Sequence, residues 1–536
     1  MTDRNGQPEK LPRMRVSRDN SKAPDIVREG ALIYVLAGLG KVSGFVREWV
    51  LAYFFGASII VDAFRITFDL SNTISGLLSA AQVEYSLVPL LSKWRTLNIV
   101  HARNLLFRYL AVINVVLAIL SAIALGFLAP WATDLIAPGY NAEQRDIVIL
   151  LIRWVTPSIP IFVAVNLLGY LLVSSYKFRV FTLLPMFINP VMILSVLLVA
   201  IFDAPIQLLS LGFSVGLIAA LLSLAFIARD SLREKYRSTR KRFITIIMPF
   251  VRNWWPLMLL GLMFQLRLLI DKRIISDLGV GAIAALGYAR FLVISPLSMV
   301  GTSMIRMILP RFSDLAALGR EKEMLKQLTT LIEVSLFVLL PIIIVIVTSA
   351  SSIIQLIYGY GAFDADAAKI TSAIIIGFAP LIWIMLIRSL INRVFNAQGR
   401  NVALIPIHGL GAIVIVIMAI LFTRWYGAIG VAAAASIGEF LNIIVLLFVL
   451  ERKIAFRSTW IILQWWLLTA GITLAIILLP HPDNYLLHIG TSVGYTLIGW
   501  SIIGLQFPSG RRSYSMLKNA VSRLIKKDNE ADHTAS

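Results

Sequence analysis

Residues 30–69 read GALIYVLAGLGKVSGFVREWVLAYFFGASIIVDAFRITFD. An apolar run from Gly30 to Phe55 has Lys41, Arg47 and Glu48 inside it, a glycine turn follows at Gly56, and a second run then opens with Asp62, Arg65 and Asp69. A charged side chain near the middle of a bilayer costs roughly 2.5–3.5 kcal/mol on insertion scales. At about 1.5 Å per residue, Lys41 lies about 16 Å along a helix from Gly30 and about 22 Å from Gly56. Neither membrane surface is then within easy reach of its amine. Charges so placed face a water-filled cavity or a partner, so the stretch points to a polar path through a membrane.

The rest of the chain agrees. It has 536 residues, is 58% hydrophobic and 15% charged, and its mean hydropathy is +0.82. Those values place it among polytopic all-α membrane proteins. It has no cysteine, which excludes disulfides and thiolate metal sites. The net charge of +20 lies mostly in the tails and in short loops between apolar runs, the distribution of the positive-inside rule rather than of a nucleic-acid surface.

Runs long enough to cross about 30 Å of hydrocarbon give fourteen expected spans. Their centres lie near Leu39, Leu77, Val115, Val163, Ile193, Ile218, Met258, Ser295, Leu340, Ile384, Val414, Gly438, Ala470 and Thr496. The even-numbered connections are basic, as in Arg229–Arg242 and Arg311–Lys326, and the odd-numbered ones mostly neutral or acidic. The connection with Lys272 and Arg273 is the main exception. Both termini are therefore expected in the cytoplasm of a bacterium with the protein in its inner membrane.

A weak internal repeat runs through the chain. Pro89-Leu90-Leu91-Ser92 resembles Pro310-Arg311-Phe312-Ser313, 221 residues on, and Pro157 and Pro380 stand 223 apart. The paired segments are six spans apart, an even number, so the copies share one orientation. The expected organisation is a cytosolic basic tail (1–28), a six-helix lobe (29–228), a basic linker (229–242), a second six-helix lobe (243–450), two extra helices (451–506) and a basic tail (507–536). Transporters built from two such lobes commonly bind substrate between them.

Catalysis has little support. The five histidines are scattered without metal-ligand spacing, and no phosphate-cradling Walker loop is present. No cofactor is expected, and an enzyme is not. The intramembrane charges remain. Asp62, Arg65 and Asp69 share one helix face and could neutralise one another as a ladder; alternatively Arg65 faces a substrate path. Arg47 and Glu48, being adjacent, point in different directions and are poorly placed to pair. Lys41 and Arg47 have no acid in register on their own helix. Arg153, Arg267, Arg290, Arg306 and Arg388 are further cations at or inside span ends. Asp271 beside Lys272 and Arg273 reads as an interfacial cluster, with an ion site as the minority reading. A cavity richer in cations than in acids suits an anion, which guanidinium groups bind bidentately.

GFVREWVLAYFFGASIIVDAF resembles the opening signature of the MurJ/MviN family, flippases of lipid-linked peptidoglycan precursor. The similarity continues through LVPLLSKW, DLIAPGY, WVTPSIP, Tyr288-Ala289-Arg290, LIYGYGAFD and RVFNAQGR. The resemblance implies a fourteen-helix, two-lobed bundle of the superfamily that also holds drug antiporters and polysaccharide exporters. It further implies an undecaprenyl-pyrophosphate-linked glycan, by default lipid II, moved from the inner to the outer leaflet by alternating access. Lys41 stands where the family has its first cavity arginine, Arg47 matches the second, and Ser75-Gly76 stands in place of an Arg-Arg pair. Asp271 resembles an acid that some members use for sodium. On this reading Lys41, Arg47, Arg65 and Arg290 contact the substrate, and Glu48, Asp62 and Asp69 gate or orient it. The protein is expected to act as a monomer among membrane lipids, without nucleic acid. An exopolysaccharide or O-antigen repeat unit is the alternative cargo, and a cation-coupled drug antiporter a more distant one.

Overall fold

The computed structural model describes residues 26–79, 81–96, 100–175, 177, 180–233, 243–506, 510–511 and 514–515. Most of the expected basic tails and of the linker 229–242 lies outside them. All regular structure among the described residues is helical.

The first half runs through α1 (Ile26–Phe55), α2 (Ile59–Ser79), α3 (Ala81–Thr96), α4 (Val100–Ile136), α5 (Ala142–Val155), α6 (Ser158–Val173), α7 (Val180–Ile201) and α8 (Gln207–Arg233). The second half runs through α9 (Phe243–Ser276), α10 (Ala282–Ala317), α11 (Glu321–Thr348), α12 (Ala350–Tyr358), α13 (Ala365–Phe378), α14 (Leu381–Ala397), α15 (Leu404–Tyr426), α16 (Ala428–Leu450), α17 (Arg452–Ile477) and α18 (Tyr485–Gln506). Each of the fourteen expected centres falls on a helix. By length and composition, eight helical stretches among the described residues can cross a membrane, or nine when α5 and α6, bent by 43°, count as one. Lys272 and Arg273 prove to lie inside α9 rather than in a connection.

Helix packing follows the halves. α1 packs on α7, α7 on α8, α4 on α6, and α2 on α5 and α6. In the second half α9 packs on α15, α10 on α13 and α14, and α16 on α13, α14 and α15. α17 and α18 lean on α11. The halves meet where α2 touches α9 and α10, α1 touches α10 and α12, and α3 and α4 touch α9.

The internal repeat has a physical counterpart. Asn141 caps α5 by accepting from the Gln144 N–H at 3.0 Å, and Asp364 caps α13 by accepting from the Ala367 N–H at 2.7 Å. Each 14-residue helix then ends just before a proline, Pro157 or Pro380, which starts the next helix. Proline suits a helix start because its missing N–H would have had no intrahelical partner there. The copies differ in one place. α4 runs unbroken through Pro130 to Ile136, whereas the second half breaks at Ser349 and restarts as α12. The loop after α12 reaches the α1–α2 turn, where the Ala362 N–H donates to the Tyr53 carbonyl oxygen at 2.8 Å. Gly56 permits that approach: its φ is +56°, and a Cβ there would overlap the Ala362 carbonyl oxygen.

Candidate functional site

A cavity of about 280 Å³ lies where the halves meet. Arg47 and Glu48 come to it from α1, Arg65 and Asp69 from α2, Lys272 from α9 and Arg290 from α10. Phe64, Phe68, Leu286, Phe291 and Ile294 supply apolar wall. Four cations thus stand against two acids.

Glu48 is the hub. Although it neighbours Arg47 in sequence, the two pair: Arg47 Nη2 donates to Oε1 at 2.6 Å, and Arg65 Nη2 donates to Oε2 at 2.6 Å. The expectation that adjacent residues would not pair overlooks side-chain length, since a guanidinium on a three-carbon stem can fold back around the helix. Arg47 also donates through Nη1 to Asn189 Oδ1 of α7 at 3.1 Å. Arg65 lies over the Tyr288 ring, Cζ to centroid 4.4 Å, a cation–π contact. That position exists because residue 287 is glycine; a Cβ there would overlap the Arg65 guanidinium.

Of the two alternatives for α2, the ladder is not formed. Arg65 turns to Glu48, and Asp69 pairs with Lys272 of α9, Oδ2 to Nζ at 2.5 Å. Lys272 also donates to the Arg65 carbonyl oxygen at 2.6 Å. Asp62, fully buried, crosses to the start of α10. It accepts from the Gly281 N–H and the Ala284 N–H, each at 2.6 Å, and from the Tyr140 hydroxyl at 3.0 Å. Gly281 is the N-cap of α10 and has no side chain to cap with, so a carboxylate from the other half satisfies the free N–H groups and the positive helix end. Tyr140 belongs to the loop between α4 and α5; burial and the Asp62 carboxylate push its phenol well above its ordinary range, so it remains a donor. The Tyr288 hydroxyl donates to the Gly56 carbonyl oxygen at 2.9 Å. Together with the Ala362–Tyr53 bond, these contacts close the cavity on the side of the α1–α2 turn.

Comparison with known proteins places this architecture. The family model described as "Lipid II flippase MurJ" matches residues 51–489. The chain belongs to that family. A probable lipid II flippase MurJ of Rickettsia prowazekii is 25% identical over 424 residues, covering 78% of this chain and 82% of the relative. One from Rhizobium tropici is 26% identical over 432 residues, covering 77% and 78%. A solved lipid II flippase MurJ in an inward closed conformation shares the fold at a TM-score of 0.72 and 21% identity, covering 89% of this chain and 98% of the other. An inward-facing MATE multidrug transporter follows at TM-score 0.62 and 13% identity, covering 79% and 98%. The apolar helices and the family together make this a multi-pass bacterial membrane protein, and the relatives named are transporters rather than enzymes.

Within the family frame, a second polar cluster occupies the second half. Glu439 of α16 accepts from Arg267 Nη1 at 3.0 Å and faces Arg388 Nε at 3.5 Å. Asp271 faces Arg267 Nε at 3.8 Å. Asn442 donates to His408 Nδ1 at 3.1 Å, which leaves Nε2–H to donate to Asn392 at 3.3 Å, a neutral imidazole. With Arg290 also at its edge, three arginines stand against Asp271 and Glu439, so this cluster too is richer in cations than in acids. No group of three or more His, Cys, Asp or Glu side chains among the described residues could hold a metal. Asp271, the weak sodium candidate, stands beside Arg267 in this cluster, and with Lys272 it is buried rather than interfacial. Arg290 lines both this cluster and the main cavity and has no ion-pair partner among the described residues.

Lys41 stands apart. It is exposed, lies about 9 Å along α1 from Arg47, and does not line the cavity. The side chain of Arg306 lies outside the described set. The residues that sequence reading missed are Lys272, read as interfacial because Asp271 and Arg273 flank it, and Glu439. An acid inside the apolar run 428–450 was the available signal for the latter.

Proposed function

We propose that this protein flips an undecaprenyl-pyrophosphate-linked glycan, lipid II for peptidoglycan synthesis, from the inner to the outer leaflet of the bacterial inner membrane. The observation that carries this reading is the cavity with Arg47, Arg65, Lys272 and Arg290 against Glu48 and Asp69. A pyrophosphate leaving water needs fixed cations, and the cavity has a surplus of two; a cationic drug would need the opposite balance. The relatives are named as lipid II flippases, which fits the same chemistry.

In the proposed cycle, the closed side of the cavity is the outer one. The cargo's pyrophosphate enters from the cytoplasmic side, meeting Lys41 first and then the Arg47–Glu48–Arg65 cluster. Binding draws guanidinium groups from Glu48 to phosphate oxygens, and Arg290, without a carboxylate of its own, supplies a further donor. Loss of the Lys272–Asp69 and Asp62–α10 contacts then lets the halves part on the outer side, as differential binding to two states requires. The lobes are residues 29–228 and 243–450, joined by the cytosolic linker 229–242, with helices 451–506 appended. The tails 1–28 and 507–536 are cytoplasmic. The chain makes fourteen crossings and works as a monomer without a cofactor.

The cargo test is a vesicle assay in which the purified full-length protein is offered lipid II or an O-antigen repeat unit on the same carrier. Flipping of lipid II at ten times the rate of the repeat unit is expected. Equal rates would point to recognition of the pyrophosphate carrier alone, and preference for the repeat unit would overturn the lipid II assignment.

A further inference from the structure

A groove of about 500 Å³ runs between α4 and the α5–α6 bend, sharing no lining residue with the central cavity. Ile119, Ile123 and Phe127 form one wall, and Phe127 is 82% exposed. Pro157 and Pro160 form the other, where the 43° bend opens a wedge between the helices. One charged residue, Arg153, lines it.

Arg153 is exposed, and no carboxylate lies within ion-pair reach of it among the described residues. Its neighbour Trp154 is also exposed. The nearby Thr156 hydroxyl is already used, donating to the Arg153 carbonyl oxygen at 2.8 Å, and the two prolines have no N–H. The guanidinium is therefore the unused donor of the groove. Depth follows from a landmark: Arg145 and Asp134 form an exposed two-bond pair beside the α4–α5 loop, at 2.6 and 3.0 Å. Arg153 lies eight residues further along α5, about 12 Å deeper. Helical side chains lean toward the N-terminus, here back toward that loop, so the guanidinium is carried up toward the headgroups. An unpaired guanidinium at this depth is costly, and an anion satisfies it where water is scarce.

We infer that this groove holds one anionic phospholipid of the outer leaflet, its phosphate bound bidentately by Arg153 and an acyl chain lying along Ile119–Phe127. The leaflet rests on the topology proposed above; the site itself does not. Charge complementarity selects the occupant. A net-negative headgroup cancels the guanidinium, whereas a zwitterionic one brings its own cation beside it.

The full-length protein in detergent is titrated with phosphatidylglycerol or phosphatidylcholine, and bound lipid is counted by native mass spectrometry while thermal unfolding is followed. Phosphatidylglycerol should raise the unfolding temperature by a few degrees more than phosphatidylcholine, with one lipid retained. Arg153→Gln should abolish that difference and Arg153→Lys should keep most of it. Gly126→Leu fills the groove without touching the charge, because a Cβ there meets only the Thr156 methyl at 3.9 Å, and it should abolish the difference as well. Equal effects of the two lipids on the unmodified protein would overturn the inference. So would a phosphatidylglycerol effect that survives Arg153→Gln, or one that survives Gly126→Leu.

Discussion

Lys272 of α9 and Asp69 of α2 meet at 2.5 Å across the boundary between the two halves. The lysine is buried with its side chain 6% exposed, whereas the carboxylate keeps 42% of its surface. Removing the lysine leaves an acid that water can still solvate, so the stability cost is that of a partly exposed pair, roughly 1–2 kcal/mol. Lys272→Gln is expected to lower the unfolding temperature by a few degrees while reducing transport at least tenfold. A variant that transports normally would show that the lysine only ties the halves together.

Asp62 holds the cavity shut on the side of the α1–α2 turn by capping α10 from the opposite half. Asp62→Asn removes the charge from two short bonds and turns one acceptor into a donor facing backbone N–H groups, a loss of roughly 2 kcal/mol from the closed state. The chain has no native cysteine, which makes the test direct. With Tyr53→Cys and Ala362→Cys introduced, a disulfide should form readily across the latch, and Asp62→Asn should slow its formation severalfold. Unchanged cross-linking would remove Asp62 from the gate.

Gly287→Ala places a methyl group where the Arg65 guanidinium lies over Tyr288. The arginine must shift, breaking its bond to Glu48 or its place over the ring. Expression should stay near normal because the cavity has room, while transport falls at least tenfold. The additional change Arg65→Lys, a slimmer cation, should recover part of the loss. Full transport by Gly287→Ala alone would mean that Arg65 is not held in its working position by that contact.

Much of the fold was legible because a bilayer imposes it: apolar runs of about twenty residues must be helices, and each expected centre falls on one. The proline pair 157 and 380 carried the repeat, since both start a helix after a 14-residue capped one. Arg47 was legible as a cavity cation from cost alone, but the same argument put Lys41 beside it, which does not line the cavity; Arg65 was left open between a ladder and a substrate path, and Arg290 stood out only through the family resemblance. The pairing was not legible. Which carboxylate a cation reaches depends on helices distant in sequence, so Asp69 meets Lys272, 203 residues on, and Asp62 meets α10 rather than Arg65. Helical periodicity ranks neighbours along one helix and is silent about a second helix lying against it. It also treats side chains as short, which is how the bond between Arg47 and Glu48 escaped notice.

The central claim is that fixed cations in the cavity carry the cargo's pyrophosphate. Its most direct measurement is leaflet accessibility of undecaprenyl-linked glycan in cells or vesicles that depend on this protein alone. Arg47→Gln combined with Arg290→Gln should reduce flipping to below about a tenth of the unmodified rate at near-normal protein amount and with at most a few degrees lost in unfolding temperature, since Glu48 keeps its bond to Arg65 and Arg290 has no ion pair to lose among the described residues. Lys41→Arg, which keeps the charge, should flip normally in the same assay. Normal flipping by the Arg47→Gln, Arg290→Gln protein would contradict the account, because two of the four cavity cations would then have no part in carrying the anion.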